Sequence, residues 1–210
     1  MSDPASTRWS ELWQRLGRDP APLFADLARR YAEPQRAYHT MAHVLDCLAE
    51  LEPARHLAQG VDAVELAIWY HDAVYDPHAH DNEEQSAELA RQAMVATAMA
   101  EAFQRKVAAL ILATKHHDPS ADGDAPLMVD IDLSILGQTA ARFDEYEAQI
   151  RREYSWVSEE AFRQGRAAIL ERFLARGRLY NTDYFRGKYE KRARENLLRS
   201  LNQLSRGRPA

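Results

Sequence analysis

Val64-Glu65-Leu66-Ala67-Ile68-Trp69-Tyr70-His71-Asp72-Ala73-Val74 is the stretch that sets the reading of the chain. It is apolar almost throughout, which predicts a central, buried helix with Asp62 capping its start. Near its far end a histidine is followed at once by an aspartate. Neighbouring residues on a helix point about 100° apart, so both reach one ion only near the helix end or across its axis. The plain alternative is a helix-terminal pair in which Asp72 makes local hydrogen bonds. Against it, an unpaired carboxylate at a buried helix end is costly unless a cation sits beside it.

Two other stretches keep that pair company. Tyr38-His39-Thr40-Met41-Ala42-His43 carries two imidazoles four residues apart, which a helix places on one face. Either both bind metal, as such histidines do in zinc proteases, or one binds and the other works as acid or base. Taken alone, they read equally well as polar residues near a helix start. Val129-Asp130-Ile131-Asp132-Leu133 offers further carboxylates. If that segment is extended, Asp130 and Asp132 point the same way; if it opens a helix they diverge, and one of them suffices as a ligand. A helix cap at Asp132 and a solvent-facing Asp130 are the plain reading. Together the three stretches supply a mixed nitrogen and oxygen shell suited to a divalent transition metal.

Working outward, apolar residues recur mostly at helical spacing, and only eight glycines and nine prolines interrupt them. Trp9, Leu12, Trp13 and Leu16 form one stripe behind a cap near Ser6-Thr7. Pro20 to Tyr31, His39 to Leu51, Asn82 to Met99, Glu101 to Thr114, Thr139 to Tyr154, Ser158 to Arg176 and Lys188 to Leu204 read as further helices. Tyr75 to His80 reads as a loop around Pro77, and Pro119 to Pro126 as an acidic Gly/Pro loop. Asp132 begins a short turn that ends at Gly137, and the chain after Arg206 reads as frayed. No strand alternation, repeat or low-complexity segment is visible. The expectation is an all-α chain: one domain over 1–210, with a metal-site core over about 36–137 and C-terminal helices over 139–205 packed on it.

Composition narrows the function classes. A chain of 210 residues is long enough to bury one sizeable core. Its 46% hydrophobic and 28% charged residues are those of a soluble globular protein. A net charge of −5 argues against a nucleic-acid groove as the main business. Cys47, the one cysteine, makes no internal disulfide, which fits a reducing compartment. No apolar run approaches the roughly 20 residues that span a bilayer, and Met1 to Arg8 lacks a signal-peptide apolar core. A soluble, cytoplasmic protein without a membrane partner is expected.

The order His43, His71-Asp72, Asp132 resembles the H…HD…D pattern of the HD-domain superfamily of metal-dependent phosphohydrolases, and more narrowly its bacterial members. Asp81-Asn82-Glu83-Glu84-Gln85-Ser86-Ala87, Thr114-Lys115-His116-His117, Asp130 to Gly137, Ile150 to Tyr154 and Glu190 to Asn196 also fit, so the resemblance runs from about Arg36 to Asn196. It implies an all-α, HD-domain-like helical bundle with the metal site between helices. It implies His43, His71, Asp72 and Asp132 as ligands of one divalent transition metal ion (Mn, Fe, Co, Ni or Zn), with a second ion left open. Tyr38 to His43 is also similar to the Tyr-His-Asn-x-x-His stretch of cyclic-nucleotide phosphodiesterases. There the first histidine is the general acid and the second binds metal, which implies those roles for His39 and His43. Position 40 is Thr here rather than Asn, so the role split carries over and the substrate does not.

The chemistry that follows is hydrolysis of a phosphate ester, nucleotides included, by a metal-activated water. Asp72 is a ligand that also orients or deprotonates the water. His39 supplies the leaving-group proton, and Lys115, His117 and Glu83 are candidates to meet the substrate. Each has a plainer reading: Lys115 as a dipole partner at a helix end, Glu83 and Glu84 as first-turn acids. Arg151, Glu153, Arg194 and Asn196 read as a structural network, and Trp9, Trp13 and Trp156 as packing only. Two alternatives stand beside the hydrolase: a di-iron oxygenase on the same ligands, and a non-catalytic nucleotide-binding regulatory domain with a structural metal. The expected partner is a small phosphate ester or nucleotide, with nucleic acid disfavoured. Substrate, metal identity and oligomeric state, a dimer included, are left open.

Overall fold

The computed structural model describes residues 3–19, 23–117 and 123–206. The expected helix start at Pro20, the first half of the Pro119 to Pro126 loop, and the tail beyond Arg206 lie outside those residues. Among them the chain is all-α, as its spacing predicts: ten α-helices, two 3-10 turns and no strand. No described helix is long and apolar enough to cross a membrane. The chain divides into two compact units, Met1–Ile131 and Asp132–Ala210.

The first unit is built round helix α4 (Val61–Tyr70), in which every residue from Ala63 to Tyr70 is buried. Helices α1 (Pro4–Arg15), α3 (Met41–Ala54), α5 (Asn82–Ala96) and α6 (Glu101–Ala113) all pack on it, with α2 (Leu23–Arg30) completing this part. Helix α1 starts at Asp3, whose carboxylate accepts from the Ala5 N–H, with Pro4 at the first helical position, where its missing donor is not needed. Its Trp9 meets Trp13, Phe24 of α2 and Trp69 of α4, standing edge-on to Trp69 at 5.3 Å. The indole N–H groups of Trp9, Trp13 and Trp69 are buried and meet no acceptor among the described residues. Glu65, the one charge in the middle of α4, is met by Arg15 and, at 2.9 Å, by Arg55.

Several boundaries differ from the sequence expectation. Helix α4 stops at Tyr70, not Val74, and begins with Gly60 at its cap, leaving Asp62 in the first turn. The region expected to stay a loop through Pro126 instead becomes helix α7 (Ala125–Asp132), so Asp132 ends a helix and the 3-10 turn runs from Leu133 to Gly137. Proline is tolerated in a first turn, where the N–H groups have no intrahelical partner. Asp124 pins that start: its carboxylate accepts from the Gln59 N–H (2.7 Å) and Gly60 N–H (2.9 Å) and meets Lys106 Nζ at 2.7 Å.

The second unit holds the 3-10 turn, α8 (Ala140–Glu153), α9 (Glu159–Ala175) and α10 (Asp183–Arg206). Thr139 and Ser158 cap α8 and α9, their hydroxyls accepting from the N–H groups of Arg142 and Ala161. Helix α10 begins five residues before the expected Lys188 and lies along the 3-10 turn. Asn196 Nδ2 donates to the carbonyls of Leu136 and Gln138, each at 2.9 Å. Arg194 pairs with Glu190 and donates to the Arg176 carbonyl at 2.8 Å, while Arg151 donates to the carbonyls of Tyr154 and Val157. Arg151, Arg194 and Asn196 each bond to backbone carbonyls, and Arg194 also to Glu190. Trp156 is 54% exposed, against the expectation that it packs; it sits in the turn between α8 and α9, beside Tyr154.

Candidate metal centre

Because α4 stops at Tyr70, His71 is its cap residue and Asp72 lies on the turn leaving it, the geometry in which adjacent residues can face one point. His43 comes from the first turn of α3, which opens at Thr40. The Nε2 atoms of His43 and His71 are 3.1 Å apart, and both rings are buried, at 2% and 1% exposure. Asp72 Oδ2 stands 3.0 Å from His71 Nε2 and 3.5 Å from His43 Nε2.

This convergence needs positive charge. His71 Nδ1 lies 2.9 Å from the Ile68 carbonyl, which can only accept, so Nδ1 carries the proton and Nε2 of the neutral ring presents its lone pair. That lone pair then faces a carboxylate oxygen and a second imidazole nitrogen at hydrogen-bond distance. Only a proton or a metal ion between them makes the arrangement favourable. Burial by itself would push the Asp72 carboxyl up, but positive charge on the imidazoles of His71, His39 and His43 outweighs it and holds the group well below the usual carboxylate range. A tetrahedral ion with nitrogen ligands at about 2.0–2.1 Å holds those nitrogens about 3.3 Å apart, close to the observed spacing. The donor set fits a divalent transition metal.

Two further donors surround the pair. One ligand atom each from His43, Cys47, His71 and Asp132 falls within 4.8 Å of the others, a group that could hold a metal ion. The first three are buried and Asp132, the last residue of α7, is half-buried. Cys47 follows His43 by one helical turn, and its sulfur lies 3.7 and 3.8 Å from the two ring nitrogens of His43. Near-equal distances put the sulfur beside the imidazole ring, off the line of the Nε2 lone pair. Asp72, by contrast, meets both Nε2 atoms directly. The sequence shows Cys47 only as an apolar helix-face residue; its i+4 spacing from His43 was the signal that it lies beside the site. Since α7 is helical, Asp130 and Asp132 diverge, and Asp130 is fully buried.

His39 is half-buried just ahead of α3, its ring stacked on Tyr75 at 4.3 Å and 6.0 Å from the His43 ring. Tyr38 covers His43 at 4.7 Å. Arg36, which the sequence reading passed over, lies beneath both motif stretches. It donates to the carbonyls of His39 (2.9 Å), Asp72 (2.7 Å) and Ala73 (3.1 Å). The candidate substrate residues lie on α5 and on the segment that follows α6. Lys115 pairs with Glu84 and donates to the His80 carbonyl at 2.8 Å, an exchange that raises the lysine pKa and lowers that of Glu84. Glu83 sits in the first turn of α5, and His117 follows α6 with φ of +49°. No protein-family model, curated protein or solved structure matches the chain.

Proposed function

We propose that the protein is a metal-dependent phosphohydrolase in which His43, His71, Asp72 and Asp132 hold one divalent transition metal ion and His39 is the general acid. The observation that carries this reading is the meeting of two buried imidazole nitrogens and a carboxylate within 3.0–3.5 Å. It agrees with the resemblance of the chain to HD-superfamily phosphohydrolases. An ion held there supplies charge that polarises a phosphate ester and acidifies a water molecule. The residues do the rest. Ile68 fixes the His71 tautomer, Asp72 stays anionic and is placed to accept the water's proton, and His39 hands a proton to the leaving oxygen. The stack on Tyr75 holds the plane of the His39 ring while it does so. The substrate class is a small phosphate ester, nucleotides included.

The test is a phosphatase screen on metal-loaded protein beside a His39→Ala variant. Turnover that falls about 10²- to 10⁴-fold in the variant, with metal content unchanged, supports the general-acid role. Loaded protein that cleaves no phosphate ester sinks the proposal. One observation favours a second reading. A shell of His43, Cys47, His71 and Asp132 would be four protein donors, a closed site of the structural zinc type. Cys47→Ser separates the two: a structural site loses its zinc, whereas the hydrolytic site keeps metal and turnover.

A further inference from the structure

We infer that Arg36 is the positioning residue of this centre, one buried guanidinium that fixes His39 and Asp72 relative to each other. The inference rests on the metal-centre reading above. Its side chain is 0% exposed. Nη1 is shared between the carbonyls of His39 and Asp72, Nη2 donates to Ala73, and Nε meets Glu33 at 3.2 Å. The planar group also lies over the rings of Tyr31 at 5.1 Å and Tyr75 at 5.5 Å. Tyr75 in turn stacks on His39, so Arg36 holds the proposed acid twice, by its backbone and through its stacking partner.

The placement answers a defined need. The last carbonyls of a helix have no partner within it; that of Trp69 is met by the Tyr31 hydroxyl at 3.0 Å, and in the turn beyond α4 those of Asp72 and Ala73 are met by Arg36. An arginine beside a phosphate-cleaving site is easily taken for an anion clamp. Here the fork is spent on carbonyls and its charge is offset by Glu33. A lysine, a point charge on a flexible stem, does not span the same three acceptors.

The experiment compares wild type, Arg36→Lys and Glu33→Gln, the last removing the ion pair and none of the carbonyl bonds. Co(II) affinity is read by competition with a chromophoric chelator, helicity by circular dichroism, and the His39 imidazole signals by NMR on metal-free protein. Arg36→Lys is expected to keep its helical spectrum, to bind Co(II) about 10- to 100-fold more weakly and to shift the His39 signals. Glu33→Gln is expected to do neither. Wild-type affinity and unmoved His39 signals in Arg36→Lys overturn the inference while leaving the metal centre standing. Wild type that binds no Co(II) sinks the functional reading, and the His39 signals of the metal-free proteins still decide the role of Arg36. Should Arg36→Lys fail to fold, the wild-type guanidinium protons decide: slow solvent exchange supports the inference, and exchange at the rate of a surface arginine overturns it.

Discussion

At the scale of single residues, two imidazole nitrogens 3.1 Å apart and a carboxylate against both form a cluster that is held together by whatever cation it receives. Replacing His71 by alanine removes the nitrogen that faces both other groups. Plasma mass spectrometry on His71→Ala is expected to show loss of the roughly one transition metal ion per chain carried by wild type. Retention of the metal would mean that the ion sits elsewhere. His43, His71 and Asp72 were legible in the sequence because their signal is local: spacing along a helix and an anion at the end of an apolar run. Arg36 was not, because a sequence states an arginine's charge and not its burial. The partner of Lys115 was illegible for a related reason. A lysine in a motif stretch looks available until its partner, Glu84, is placed beside it across the fold.

At the scale of elements, the helices were readable from period and caps, and the errors fell where punctuation residues dominate. Prolines and acids over 119–126 read as a loop, yet Pro126 suits a first helical turn and Asp124 supplies the anchor that lets α7 begin there. Burial alone raises the Asp124 carboxyl, but Lys106 and the two backbone donors prevail and its pKa is lowered. A lowered pKa stabilises the fold above the unfolded value near 4 and loses that contribution as pH falls through the folded value. Asp124→Asn is therefore expected to cost about 1–3 kcal/mol at neutral pH. Denaturation at a series of pH values should show the gap to wild type closing below about pH 4. Gly137 marks a close approach, since a Cβ there would land on the Tyr189 side chain of α10. Gly137→Ala is expected to lower the denaturant midpoint by an equivalent of about 1–3 kcal/mol, the usual cost of overpacking. An unchanged midpoint would mean that α10 yields at that point.

At the scale of the whole molecule, a ligand that binds only the folded state stabilises it by mass action. Metal at a thousand times its dissociation constant adds about 4 kcal/mol. For a chain of this size each kcal/mol moves the melting point by about 2–4 °C, so calorimetry with Co(II) or Zn(II) is expected to show an upward shift of about 8–16 °C, reversed by a chelator. No shift would mean no site. The chain divides into Met1–Ile131 and Asp132–Ala210. The tryptophans, however, are shared unequally between those bodies. Trp9, Trp13 and Trp69 lie in one buried cluster with no acceptor for their indole protons among the described residues, and Trp156, in the other unit, is 54% exposed. Their ultraviolet emission should therefore separate by colour, blue from the first body and red from the second. A chemical unfolding curve recorded at both edges of that band would follow each body in the unlabelled protein, the blue edge reporting the one that carries His43 and His71.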